Sequence, residues 1–253
     1  MANNNSHRNW ILLRGLFRES RHWGSFPEIL RAGLPAGDTV TAIDLPGAGE
    51  YALEPSPWTM PGIVDAVRRH AKSRGLTPPY TLLAISLGGM VALEWMRTSP
   101  EEIRDFVVLN TSDRSSQFFL RLRYQIWSEM GRVLALRDLT ERELHIVKVV
   151  SNVPARYLAV AQEWARWARE TPMSNRTVLA QMSAASRFRA PDQLDQPGIF
   201  LISLGDRLVD PSCTLKIAQR LGRKIVTHSW AGHDLTLDDP EWVMQSILDF
   251  LRK

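Results

Sequence analysis

The chain has 253 residues, 44% hydrophobic and 23% charged, enough to bury the core of one large domain or of a core with an added cap. Its 15 glycines and 15 prolines are ordinary for that length. No repeat, low-complexity tract or apolar run of about 18 residues is present, which argues against fibrous and membrane-spanning classes. The net charge of +4 raises the question of nucleic acid, but the twelve arginines and one lysine between Arg114 and Arg189 alternate with Trp, Leu and Ala at helical spacing. That is the pattern of solvated helix faces rather than of a stripe following phosphates, and no nucleic-acid partner is expected. The polar start MANNNSHRN lacks the order of a secretory signal, and the single cysteine, Cys213, excludes an internal disulfide and a cysteine-based zinc site. A cytoplasmic location is the expectation.

In chain order, short apolar runs predict strands buried on both faces at Trp10–Leu13, Thr39–Asp44, Tyr80–Ile85, Asp105–Asn110, Gly198–Ser203 and Lys224–Ser229. Amphipathic stretches separate most of them. One begins after Thr59, a suitable N-cap, and stops at Gly75; one runs from Ser86 until Pro100; and one closes the chain from Asp239. Alternation of this kind predicts a parallel α/β sheet with right-handed crossovers. Between Asn110 and Gly198 the rhythm breaks. Four helical segments, FFLRLRYQIWSEMGRVLAL, TERELHIVKVV, RYLAVAQEWARWARE and NRTVLAQMSAASRF, replace any strand, and a structureless loop of that length is implausible. The expected organisation is a core of residues 1–112 and 193–253 with a helical cap over 113–192. Trp127, Trp164 and Trp167 either line a pocket beneath the cap or pack its helices.

The run LLAISLGG, residues 82–89, ends a buried strand on one hydroxyl among small residues. A strand that turns at once into a helix forces unusual backbone angles on the residue at the corner. Only small residues fit two before and two after it, here Ala84 and Gly88, so Ser86 has the setting of a nucleophile elbow. A serine needs a base, and the base needs an acid to hold it. Both follow in the order Ser, Asp, His: Asp206 in LGDRLVD after one strand, and His233 in WAGHDLTLDDPEW after the next. In a parallel sheet these strand ends share one edge. Asp113 is the alternative acid and Asp210 a weaker one. Of the other histidines, His228 falls inside a strand and reads as structural.

These residues, with the IDLPGAG turn at 43–49 and the GHDLTLDDPEW segment, make the chain similar over almost its whole length to the α/β-hydrolase fold family. It resembles the small capped members, the esterase and carbon-carbon hydrolase relatives of the biotin-pathway carboxylesterase type. The resemblance implies an acyl-enzyme mechanism on a small ester-like molecule with no metal or organic cofactor, and at most a second copy of the chain as partner. Serine at the elbow disfavours the dehalogenase and epoxide hydrolase variants. About six strands are expected where the family has eight. By resemblance the amides of Leu16 and Leu87 form an oxyanion hole, with Phe17 the alternative donor. Arg14 stands where the family has histidine. It either holds its loop or, with Phe17, Trp127 and Trp164, meets the substrate. Two other readings stay open: a carbon-carbon hydrolase or lyase acting on an acidic substrate, and a weakly catalytic ligand-binding receptor.

Overall fold

The computed structural model describes residues 7–252, so the polar start over residues 1–6 lies outside the described residues. Six strands form one wholly parallel sheet in the order β2-β1-β3-β4-β5-β6: β1 Asn9–Leu13, β2 Thr39–Ile43, β3 Tyr80–Ile85, β4 Ile103–Leu109, β5 Gly198–Ser203 and β6 Lys224–His228. The eleven α-helices of the described residues are α1 Phe26–Gly33, α2 Met60–Ser73, α3 Leu87–Thr98, α4 Phe118–Arg121, α5 Trp127–Ala135, α6 Leu139–Val150, α7 Tyr157–Glu170, α8 Asn175–Arg187, α9 Pro211–Arg220, α10 Leu235–Asp238 and α11 Pro240–Leu251.

Side chains along a strand alternate between faces, so each central strand feeds two cores. Ile11, Leu13, Leu82, Ala84, Phe106, Val108, Phe200 and Ile202 meet α2, α3 and α9. Trp10, Leu12, Leu83, Ile85, Val107, Leu109, Ile199 and Leu201 meet α1 and α11. β1, β3, β4 and β5 are therefore apolar on both sides, and a fully buried Phe106 or Phe200 contributes about 2–3 kcal/mol. The expectation of two buried faces fails for β2 and β6. They are the sheet edges, and Thr39 and Lys224 are exposed there.

Helix starts follow their caps. Thr59 accepts the Gly62 amide ahead of α2, Asp138 that of Glu141 ahead of α6, and Ser174 that of Thr177 ahead of α8. The stretch expected as one helix from Phe118 is broken into α4 and α5, because the Arg123 amide bonds to Leu208 O at 2.9 Å instead of continuing a helix. The helices between β4 and β5 have a separate small core of Ile126, Val147, Val150, Ala161, Trp164 and Trp167. Among the described residues no helix is long and apolar enough to cross a membrane.

Candidate active site

Ser86 joins β3, which lies between β1 and β4, to α3 with φ 58° and ψ −119°, a conformation that a β-carbon resists. Three contacts hold it there. The Ser86 amide donates to Leu109 O at 3.0 Å, its carbonyl accepts from Met90 N at 3.2 Å, and from the Thr111 hydroxyl at 2.8 Å. Clearance explains Gly88: a β-carbon there would stand 2.3 Å from Leu13 O and 2.7 Å from Arg14 O, so α3 starts directly against the end of β1. Leu87, first residue of α3, has an amide with no partner inside the helix.

Asp206 and His233 follow β5 and β6, at the same sheet edge as Ser86. Asp206 is buried, and its Oδ1 accepts the amides of Leu208 and Val209 at 2.8 and 2.9 Å, which turns Oδ2 to His233 Nδ1 at 2.7 Å. A carboxylate only accepts, so Nδ1 carries the proton of the neutral ring and Nε2 is the free acceptor. Asn110, at φ 40° just beyond β4, joins the pieces: its Nδ2 donates to His233 O at 2.8 Å, and its Oδ1 accepts Ser203 N at 2.8 Å. No hydrogen bond joins the Ser86 hydroxyl to His233 among the described residues. Hydrogen bonds of this kind commonly tighten only when a substrate arrives.

The alternative acids are engaged elsewhere. Asp113 is fully buried against Arg220 at 2.8 Å and Ala190 N at 3.0 Å, while Asp210 caps α9 through Ser212 N at 3.0 Å. Burial pushes the Asp113 carboxyl up, but its bonds to Ser115, Arg220 and Ala190 outweigh that and hold it below the usual range. His228 bonds Asp239 at 3.1 Å and packs edge-on against Trp242.

The loop after β1 lies against the serine: a β-carbon on Gly15 would stand 3.0 Å from Ser86 Cβ. The Leu16 amide has no acceptor among the described residues, whereas the Phe17 amide, at φ 61°, donates to Gln181 Oε1 at 3.5 Å. Arg14 is buried, stacked 4.7 Å over Trp23, with Nη1 and Nη2 on the two Asp234 oxygens at 3.3 and 2.5 Å. Burial pushes the Asp234 carboxyl up, and the Arg14 guanidinium overrides it and holds the group below its ordinary value. Trp164 is buried beneath Arg18 and against His22, and Trp127 is exposed, with its indole on Leu122 O at 3.0 Å.

The helices between β4 and β5 are bonded to each of these loops. Arg123 Nη1 donates to Asp206 O at 3.0 Å, and Asn152 Nδ2 spans Gly205 O at 3.0 Å and Trp230 O at 2.7 Å. Buried Asp238 accepts Ser151 Oγ at 2.6 Å, Asn152 N at 2.8 Å and Gly232 N at 2.6 Å. Arg18 reaches Glu143 at 3.0 Å, and Thr171 reaches Glu19 at 2.8 Å. The sequence assigns no site role to Asn110, Asp238 or Gln181, for each is an ordinary polar residue whose partners lie mostly far along the chain.

Residues 10–246 match the model of the alpha/beta hydrolase family, and the chain belongs to it; it is a hydrolase. A protein named as a carbamate hydrolase, RutD, from Caulobacter segnis is 25% identical over 250 residues, 95% of this chain and 90% of that one. A pimeloyl-[acyl-carrier protein] methyl ester esterase from Xylella fastidiosa is 25% identical over 238 residues, 84% of each. The enol-lactonase of Burkholderia xenovorans LB400 superimposes with TM-score 0.74 at 15% identity, covering 99% of this chain and 94% of that one, which shows the shared fold.

Proposed function

We propose that the protein cleaves a small ester-like substrate through an acyl-enzyme on Ser86. The observation that carries this is the combination of a forced serine corner on a central strand with a buried His233–Asp206 pair at the same sheet edge, where the segment 109–111 bonds Ser86 through Leu109 and Thr111 and His233 through Asn110. His233 Nε2 takes the Ser86 proton as Oγ attacks the carbonyl carbon. Asp206 holds the ring in the required tautomer and stabilises the imidazolium, and the Leu16 and Leu87 amides bind the oxyanion. His233 then returns the proton to the leaving alcohol, and a water repeats the sequence to free the acid. The helices from α4 to α8 are assigned as the cap, with Phe17 and Trp127 as candidates for the substrate side. The relatives' names, for a carbamate hydrolase and a methyl ester esterase, support carbonyl chemistry of this kind. A carbon-carbon hydrolase that held its acid through Arg14 is less well supported, since both terminal nitrogens of Arg14 are taken by Asp234.

Ser86→Ala is expected to lower kcat on a short p-nitrophenyl ester by about 10⁴-fold or more while the thermal unfolding curve stays cooperative. A fluorophosphonate is expected to form one adduct, on Ser86, and none in His233→Ala. Undiminished turnover in the serine variant, or an adduct elsewhere, overturns the reading.

A further inference from the structure

The loop after β1 and the loop after β6 are separate in sequence, and one side-chain pair locks them together. Arg14 follows β1 directly and precedes the Leu16 amide by two residues; Asp234 follows His233 directly. Their contact is two-pronged, at 3.3 and 2.5 Å, and buried on both sides. The carboxylate is itself fixed, since Oδ1 also accepts the Thr236 hydroxyl at 2.9 Å and Leu237 N at 3.3 Å, and the Asp234 amide donates to Val150 O at 2.8 Å. The guanidinium is fixed on its face by Trp23. A planar fork on a carboxylate sets orientation as well as distance, which the point charge of a lysine does not.

We infer that the Arg14–Asp234 pair positions the Leu16 amide relative to His233, and that Arg14 cancels the charge of a carboxylate placed one residue from the base. The inference rests on the serine hydrolase reading above and assigns Arg14 a role other than substrate contact. Both residues are positioning residues, because neither is placed to touch the reacting atoms. The other charged or titratable groups facing this region are Asp206 on His233 Nδ1, Asp238 on Gly232 N, Arg123 on Asp206 O, and, on the far side of Arg14, Arg18 and the neutral His22. Each of these has its own partner, so removing either member of the Arg14–Asp234 pair leaves a charge beside His233 without its counterion.

The test uses the wild type, Arg14→Lys, Arg14→Met, Asp234→Asn and the neutral pair Arg14→Met/Asp234→Leu, each checked for cooperative unfolding. The probes are p-nitrophenyl acetate and a fluorophosphonate, from about pH 5 to about pH 9. Arg14→Lys is expected to lower kcat about tenfold with KM within about twofold, since charge is kept and the fork is lost. In Arg14→Met the bare carboxylate favours the protonated base, so the acidic limb of kcat/KM moves to higher pH. In Asp234→Asn the bare guanidinium moves it to lower pH. The neutral pair leaves no charge unpaired, so its limb returns toward the wild type while kcat stays at least tenfold down. If Arg14→Met and Asp234→Asn, which leave a buried charge unpaired, fail to fold, Arg14→Lys and the neutral pair carry the decision. A folded neutral pair with wild-type kcat and labelling rate overturns the inference, as do limbs that move in the same direction in the two charge variants. A wild type that neither turns over nor labels overturns the serine hydrolase reading together with this one, whereas a reactive wild type with indifferent variants overturns this one alone.

Discussion

Ser86 carries its strained corner at a cost of about 1–3 kcal/mol, and the bonds of its amide and carbonyl to Leu109, Met90 and Thr111 over-determine it. His22 is a second residue whose surroundings dictate its state. It lies buried between Trp164 and Trp167, with the donor Arg18 Nη1 3.2 Å from Nε2 and the Glu19 amide donating to Nδ1 at 3.2 Å, so both ring nitrogens face donors and the doubly protonated ring is disfavoured. Burial, followed by Arg18 and Arg14, pushes its pKa well below 6.5. The unfolded chain takes up a proton at His22 below about pH 6.5 and the folded one does not, so stability falls as pH falls through that value toward the folded pKa. The contribution is about 1.4 kcal/mol per pH unit. His22→Phe is expected to flatten the pH dependence of the urea midpoint between about pH 6.5 and 5 by about one proton. An unchanged slope contradicts the assignment.

At the scale of elements, the meeting of α3 with β1 is the tightest joint of the site. Gly88→Ala gains helix propensity of about 1 kcal/mol but drives a β-carbon into Leu13 O and Arg14 O, and a net loss of about 1–3 kcal/mol is expected in urea unfolding. Gly131→Ala in α5 is the control, because nothing lies within 4 Å of the added carbon, and it is expected to stabilise by about 0.5–1 kcal/mol. A stabilised Gly88→Ala would show that β1 yields where it is described as fixed. Elements of this kind were legible in the sequence where one local pattern decided them. The six strands, α2, α3 and α11 all lie where apolar runs, Thr59 and Pro100 place them. α1 and α9 went unread, though Pro27 and Pro211 mark their first turns, because each is short and its apolar face is defined only by the sheet it covers. The exposed edges of β2 and β6 and the break after Arg121 depend on neighbours rather than on composition. Within the site, Ser86, Asp206 and His233 announce themselves through strand-end motifs. The partner of Arg14 does not, since 220 residues separate it from Asp234 and any of 27 acidic residues is a candidate by composition.

Across the whole molecule, the helices between β4 and β5 are fastened to the sheet's loops, for they donate to or accept from the loops after β1, β5 and β6. Asp238 is the strongest of these ties, with three donors from two segments. Asp238→Ala leaves the buried Gly232 amide, the partly buried Asn152 amide and the Ser151 hydroxyl without an acceptor and is expected to cost about 2–4 kcal/mol. Hydrogen exchange is expected to quicken at Asn152 and Gly232 together; quickening at one alone would mean that the two segments open independently. Asn152 adds a consequence for anyone who would re-engineer this protein by transplantation. Its one amide group spans Gly205 and Trp230, the approaches to Asp206 and His233, so a foreign helical module spliced between Leu109 and Gly198 does not inherit this fastening of the two loops that carry them. The exchangeable unit in this chain is therefore not the insert by itself but the insert together with the two loops it clasps.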